Sequence, residues 1–319
     1  MAQISAEDIK RVKGFGFLHN KNTDDLFSAR VITENGMLNS EQLSGVNEVA
    51  KKYGNGNIAF TTRLTLELPG IKYEDITAVR EELAKIGMAT GGTGSRVRPI
   101  VACKGSVCGY GNADTQGIAT RLHKEFYEKY YDVKLPHKFK IAIGGCPNNC
   151  IKPSLNDLGI VCVNIPDYNA DLCAGCKKCG VEAACPVGAA KMKNGKLFIN
   201  SELCNDCGRC IGKCHMDALE GGTKGFKIYL GGRWGKQIQH GMPLAKIYTL
   251  DEVFKLIEKV LLIYREQGVT GERFGATLTR LGMEHIEREL ASDAILDRKQ
   301  EILDAALHLT GGLPVGLNR

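Results

Sequence analysis

The sequence lacks any run of about 18 apolar residues, the length a helix needs to cross a membrane, so no span is expected. Its first residues, MAQISAEDIKRVKG, have no apolar core and do not read as a signal peptide, which together with the cysteine usage below points to the cytoplasm. No H-E-x-x-H, G-x-G-x-x-G or P-loop sequence occurs; Gly91-Gly-Thr-Gly-Ser95 is only a loose likeness of a phosphate loop. Without a nicotinamide or flavin fingerprint, the chain is not expected to take hydride from NAD(P)H itself. No block of like charges exists, and nothing suggests a nucleic-acid partner. The single tryptophan, Trp234, carries no readable message.

Cysteine, by contrast, is abundant: 13 in 319 residues. Twelve fall into clusters. Cys173-x2-Cys176-x2-Cys179-x5-Cys185-Pro186 and Cys204-x2-Cys207-x2-Cys210-x3-Cys214 are tandem runs of the kind that bind two [4Fe–4S] clusters in bacterial ferredoxins. The fourth cysteine of each run usually serves the other cluster. The expected partition is therefore Cys173, Cys176, Cys179 and Cys214 for one, and Cys204, Cys207, Cys210 and Cys185 for the other. The first run departs from the usual spacing with x5 before Cys185, and His215 stands where proline is expected. A structural zinc module is the rival reading. Without a secretory signal, such runs are metal ligands in a reducing compartment rather than disulfides. Cys162, inside the apolar run Gly159–Asn164, reads as a core residue.

Upstream, Cys103-x4-Cys108 and Cys146-x3-Cys150 offer four more thiols; a zinc site is again the rival. Lys138 and Lys140 lie before Cys146 on what reads as one strand, and i and i+2 share a strand face. Two ammonium groups on one face beside a metal ligand are costly unless an anion sits there. Arg63 and Arg98 are candidates for the same positive cup. The net charge of +6 suits an anionic ligand but also an ordinary basic protein.

Element patterns alternate irregularly. Helices are expected over Ser40 to Tyr53, with Ser40 as cap and Gly54 as stop, over Tyr73 to Ile86, Gln116 to Tyr130 and Leu250 to Tyr264. Strand character is expected over Ile58–Leu68, Arg98–Ala102, Lys138–Ile143, Leu158–Ile165 and Phe226–Leu230. This implies an α+β fold, with a mixed sheet and helices, rather than a doubly wound sheet. The segment 167–222 holds eight of the cysteines and reads as an inserted 2[4Fe–4S] ferredoxin domain.

Thr61-Thr62-Arg63, Val97-Arg98-Pro-Ile-Val-Ala-Cys103, Lys138-Phe139-Lys140 and Gly145-Cys146-Pro-Asn-Asn-Cys150 resemble the motifs of the sulfite/nitrite reductase family, across most of the chain. Many relatives have x5 where this chain has x4 between Cys103 and Cys108, which bears on loop geometry. The resemblance implies a domain order: a ferredoxin-like half-domain over 1–70, a siroheme/4Fe-4S domain over 71–166 and 223–319, and the insert over 167–222. It implies siroheme and three [4Fe–4S] clusters. One cluster, on Cys103, Cys108, Cys146 and Cys150, is coupled to siroheme, with Cys150 as the bridging thiolate. It implies that Arg63, Arg98, Lys138 and Lys140 surround sulfite, and Arg233 and Lys236 are candidates for the siroheme carboxylates. The implied reaction is six-electron reduction of sulfite to sulfide. Nitrite reduction to ammonia, or a non-catalytic polyferredoxin-like carrier, are the alternatives; two lysines favour the more charged anion, sulfite. The implied partner is a ferredoxin-like or flavin-containing NAD(P)H reductase subunit. Family sites are built from two related halves and this chain holds one. Either one chain completes the site or a homo-oligomer shares it.

Overall fold

The computed structural model describes residues 4–308. In chain order its principal elements are α1 (Ala6–Gly14), β1 (Phe17–His19), β2 (Leu26–Val31), α2 (Ser40–Tyr53), β3 (Ala59–Phe60), β4 (Leu66–Lys72), α3 (Ile76–Lys85), β5 (Val101–Ala102), α4 (Thr115–Leu122), β6 (Ile141–Gly144), β7 (Leu158–Asp167), α5 (Gly180–Ala184), β8 (Ala190–Lys193), β9 (Lys196–Ile199), β10 (Gly221–Leu230), β11 (Met242–Tyr248), α6 (Leu250–Gln267) and α7 (Phe274–Leu281). The chain divides into two compact units, each assembled from separated stretches.

The first unit comprises Met1–Val101, Ala119–Ile141 and Glu258–Arg319. Its antiparallel sheet has the order β1-β2-β4-β3. Phe27, Ala29 and Val31 alternate along β2 and are fully buried. Leu66, Leu68 and Ile71 of β4 join them, and α2 and α3 cover the face with Val46, Val49, Ala50, Ile76, Val79 and Leu83. Each large apolar side chain buried this way contributes about 2 kcal/mol. The residues of α2 are those expected, but its cap is Asn39 rather than Ser40. Asn39 accepts from Gln42 N at 2.7 Å and the Gln42 side chain returns the bond at 3.1 Å. The expected strand run Ile58–Leu68 is split by a tight turn. Thr61 Oγ1 meets Thr65 Oγ1 at 2.6 Å, and Leu64 takes φ +60°.

Two other expectations need correction in this unit. The strand expected over Lys138–Ile143 begins at Ile141; before it, Phe139 makes a single parallel bridge to Val97. Phe139 is held by ring contacts to Tyr264 at 5.8 Å and Phe274 at 5.3 Å, so packing rather than a ladder fixes this stretch. The helix expected to run to Tyr130 stops being α-helical at Leu122, and His123–Glu128 form a π-helical turn. That turn buries both His123 and Tyr127, whose rings lie 4.7 Å apart.

The second unit comprises Ala102–Ile118 and Ala142–Ile257. Its five-stranded sheet has the order β11-β10-β7-β6-β5. β7 and β10 pair without a break from Leu158↔Leu230 to Asp167↔Gly221, so both strands exceed their expected lengths. The glycine-rich start of β10 has no apolar alternation, and the ladder with β7 alone makes it a strand. Residues 167–222 contain α5, the β8–β9 hairpin and irregular turns. Their core is Val181, Ala190, Leu197 and Leu219, with Cys173, Cys179, Cys185, Cys210 and Cys214 packed against it. So small an apolar core offsets little of the ordering entropy of a segment this long.

Candidate redox centre

In the second unit, β5 delivers Cys103 and β6 delivers Cys146. Cys103 N donates to Ile143 O at 3.2 Å, and Gly145 N points at Cys103 Sγ from 3.1 Å. Thr115 Oγ1 donates to Cys103 O at 2.7 Å. The loop to Cys108 is tied to the start of α4. Ser106 Oγ donates to Asp114 Oδ1 at 2.5 Å, and Asp114 accepts Gly117 N at 3.0 Å. The two cysteine loops touch through glycines. A Cβ on Gly105 would lie 3.0 Å from Gly145 Cα, and one on Gly111 would lie 1.9 Å from Gly105 O. The Cys146–Cys150 turn is closed by Asn149 in the left-handed region, φ +58°.

These contacts bring one quartet together. Burial raises the Cys146 thiol above its ordinary range, and the neighbouring Cys103, Cys150 and Cys108 raise it further. A thiol that resists ionisation beside other cysteines becomes a favourable ligand once iron supplies positive charge.

Residues 167–222 hold the other eight clustered cysteines. Burial drives the Cys210 thiol up to about 11, and Cys204, Cys207 and Cys185 are the neighbouring thiols acting on it. Burial also acts on Cys185, but N–H groups of Ala190, Val187, Ala189 and Gly188 outweigh it and hold this thiol below its ordinary range. Such a nest of donors suits a sulfur that carries negative charge. The Tyr168 hydroxyl, followed by the N–H groups of Gly175 and Leu197, lowers the Cys173 thiol. Tyr168 faces Cys179 as well. A Cβ on Gly180 would lie 2.3 Å from Lys213 O, so Cys179 and Cys214 belong to adjoining turns. Cys176 is exposed. Among the described residues, no three His, Cys, Asp or Glu side chains are set to hold a single metal ion.

Cys162 is buried in β7, and burial lifts its thiol to about 12. It faces Cys103 and Cys146 but belongs to the apolar strand.

The first unit holds the four candidate cations. In the Thr61–Thr65 turn, Arg63 donates from Nε and Nη2 to Pro99 O at 3.1 and 2.6 Å, and from Nη2 to Ile141 O at 2.9 Å. Arg98 donates to Gly92 O and, at 2.9 Å, to Gly94 O. The Gly91–Ser95 loop therefore turns carbonyls toward an arginine and is no phosphate cradle. Lys138 and Lys140 flank the buried Phe139 and are half-buried. Val97 and Phe139 bridge in parallel with both side chains buried. Burial, then the positive field of Lys138, Arg273 and Arg98, depresses the pKa of His137. Sequence reading missed Arg273, whose charge acts on His137 together with those of Lys138 and Arg98.

Arg233 and Lys236 lie in the second unit, on the loop between β10 and β11. Arg233 pairs with Gln239 through main-chain bonds of 2.8 and 3.0 Å, while Lys236 is exposed. Nearby, also missed from sequence, is a polar cavity of about 240 Å³ lined by Asn149, Ser154, Asn205, Lys227, Tyr229 and His240. Ser154 Oγ lies 3.3 Å from His240 Nδ1 and accepts Asn149 Nδ2 at 3.4 Å. A larger cavity of about 900 Å³ in the first unit is lined by Arg80, His123 and Tyr131 among others, and contains no cysteine and none of the four candidate cations.

Residues 93–295 match the profile of the nitrite and sulphite reductase 4Fe-4S domain, and residues 19–86 that of the nitrite/sulfite reductase ferredoxin-like half domain. The chain belongs to the nitrite and sulphite reductase family. A coenzyme F420-dependent sulfite reductase of Methanocaldococcus jannaschii is 33% identical over 266 residues, covering 82% of this chain and 42% of that protein. An anaerobic sulfite reductase subunit of Salmonella typhimurium is 38% identical over 184 residues, 50% of this chain and 51% of that protein. The chain thus spans about half or less of the length of these relatives. A nitrite reductase [NAD(P)H] of Bacillus subtilis is 25% identical over 269 residues, 84% of this chain and 25% of that protein. The solved structure of dissimilatory sulfite reductase I superposes with a TM-score of 0.68 at 22% identity, covering 91% of this chain and 74% of that one, a likeness of fold. The α+β class expected from sequence holds. Among the described residues, no helix is long and apolar enough to cross a membrane.

Proposed function

We propose that this chain reduces sulfite to sulfide at a siroheme coupled to a [4Fe–4S] cluster, with electrons entering through two further clusters in residues 167–222. The observation that carries the reading is the grouping of cysteines. Cys103, Cys108 and Cys150 lie near enough to Cys146 to act on its thiol, as do Cys204, Cys207 and Cys185 on that of Cys210. The second set crosses between sequence runs, as the partition of a two-cluster ferredoxin requires.

Cys150 would help hold the siroheme, which would supply the low-potential redox chemistry that the reduction needs. Cys103, Cys108, Cys146 and Cys150 would hold the coupled cluster. The overall change consumes six electrons and seven protons per sulfite and yields hydrosulfide and three waters. Lys138 and Lys140 would neutralise the oxygens of the anion and donate protons as S–O bonds break. Arg63 and Arg98 already spend donors on backbone carbonyls, so their part is to fix the turn and the glycine loop and to contribute field. Arg233 and Lys236 are proposed for the siroheme carboxylates. A homo-oligomer that shares these groups between chains, and a separate reductase subunit as donor, belong to the same proposal.

Nitrite reduction is the second reading, favoured by the likeness to the Bacillus subtilis nitrite reductase. An anaerobic assay with reduced methyl viologen decides between them. Six electrons consumed per sulfide formed, with a kcat/KM for sulfite above that for nitrite, supports sulfite reduction. The reverse preference supports nitrite, and turnover of neither removes the reductase reading.

A further inference from the structure

The two cysteine groups of residues 167–222 have different surroundings. The turn carrying Cys204 and Cys207 is stitched to β7: Asn164 N donates to Asp206 O at 2.8 Å, and Asn164 bridges Cys207 in parallel. A Cβ on Gly208 would lie 2.8 Å from Asn164 Cβ, so this approach requires glycine. Two residues along β7, Cys162 faces Cys103 and Cys146, and its carbonyl accepts Asn112 Nδ2 at 3.4 Å. Asn112 N in turn donates to Gly145 O at 2.8 Å. A short bonded path therefore links the Cys207 turn to the Cys103–Cys146 loops. The Cys173 turn is tied to the β8–β9 hairpin, whose Ala190 N–H also acts on Cys185. Lys196 Nζ donates to Cys173 O at 2.8 Å and to Ala170 O at 2.9 Å.

The hairpin has two unlike faces. Ala190, Met192, Leu197 and Ile199 turn inward onto the cysteines. The register pairs Lys191 with Phe198 and Lys193 with Lys196, and all four are exposed. Lys193 Nζ lies 4.2 Å above the Phe198 ring. Lys177 and Lys178, exposed between Cys176 and Cys179, add to the charge over the Cys173 group. Glu182, 3.7 Å from Lys191 Nζ, is the carboxylate paired on this face. A lysine-rich strand pair with one exposed aromatic has the make-up of a transient docking site. Charge speeds the encounter, and the small apolar contact lets the partner leave.

We propose that the outer face of the β8–β9 hairpin, together with Lys177 and Lys178, is the docking face for a small acidic one-electron carrier protein, which delivers electrons to the Cys173, Cys176, Cys179 and Cys214 group. This rests on the reading that residues 167–222 hold two clusters. Each encounter oxidises the carrier by one electron and reduces the cluster at the Cys173 group by one. No bond forms or breaks and no proton is required, and six encounters serve one sulfite. The group tied to β7 is the inner relay.

The test compares the anaerobically purified holoprotein with Lys191→Glu/Lys193→Glu, leaving Lys196 in place because it holds the Cys173 carbonyl. The probe is a purified acidic ferredoxin, its affinity measured at low and high salt. The wild type is expected to bind roughly tenfold more weakly as salt rises from about 0.05 to 0.2 M. The double variant should bind at least tenfold more weakly at low salt and lose most of the salt dependence, with unchanged iron content and methyl viologen activity. Equal binding by the two proteins overturns the docking face. So does an equal loss in the charge-matched control Lys51→Glu/Lys52→Glu on α2. Absence of cluster iron from wild-type residues 167–222 removes the functional reading instead, a result that iron content reports independently of carrier binding.

Discussion

Arg63 grips the carbonyl oxygen of Pro99 twice, through Nε at 3.1 Å and Nη2 at 2.6 Å. The same Nη2 reaches Ile141 O at 2.9 Å, so one side chain of the Thr61–Thr65 turn ties together the segments that follow Arg98 and Lys140. An ammonium cannot reproduce this planar fork. Arg63→Lys is therefore expected to cost about 1–3 kcal/mol and lower Tm by several degrees, even in protein without bound cofactor. Thermal unfolding checks this; an unchanged Tm with lost activity would assign Arg63 to substrate contact alone.

Lys138 and Lys140 differ from Arg63 because they flank a residue held by its own packing. Phe139 keeps its place through Tyr264 and Phe274. Lys140→Ala should leave Tm nearly unchanged and lower kcat/KM for sulfite by about 10²-fold, the usual cost of removing one preorganised donor. The loss should be smaller for nitrite, which carries less charge. Phe139→Ala should behave in the opposite way, with about 3–5 kcal/mol of stability lost on unfolding.

The cysteines divide by environment. Cys146→Ser should remove one cluster, about a third of the iron, because its thiol belongs to a quartet. Cys162→Ala should keep all of the iron and cost about 1 kcal/mol, because that thiol sits in an apolar strand with its pKa near 12. Iron analysis separates the two, and loss of iron in Cys162→Ala would make Cys162 a ligand.

His123 gives the first unit a pH dependence. It is buried, and burial lowers its pKa more than Glu128, 3.6 Å away, raises it. The unfolded chain binds a proton near pH 6.5 that the folded chain refuses, so stability falls as pH drops below that value and is level above it. His137, lowered first by burial, acts in the same direction. Between pH 7.5 and 5.5 the Tm of wild type should fall more than that of His123→Phe; equal slopes would contradict this.

The cysteine groups could be proposed from sequence because ligand spacing is local: C-x2-C-x2-C is a property of one turn, and Cys185 is assigned across the runs by likeness to two-cluster ferredoxins. Helix α2 was readable for the same reason, although the first residue able to cap it was Asn39 and not Ser40. The stretch around Lys138 was misread as continuous strand because an alternating pattern does not reveal that Phe139 makes an isolated bridge to Val97 and the strand starts at Ile141. Arg273 reaches the neighbourhood of Lys138 and Arg98 through packing between distant segments, which no single window contains. The close approach at Gly105, Gly111 and Gly145 likewise appears only once the two cysteine loops are folded together.

The central claim is that this chain carries siroheme. The visible spectrum of an acid–acetone extract from anaerobically purified protein tests it most directly. Siroheme at about one equivalent per chain, from cells able to make it, is the predicted result. An extract without tetrapyrrole, from protein that retains its iron, would contradict the account and leave an iron–sulfur electron carrier.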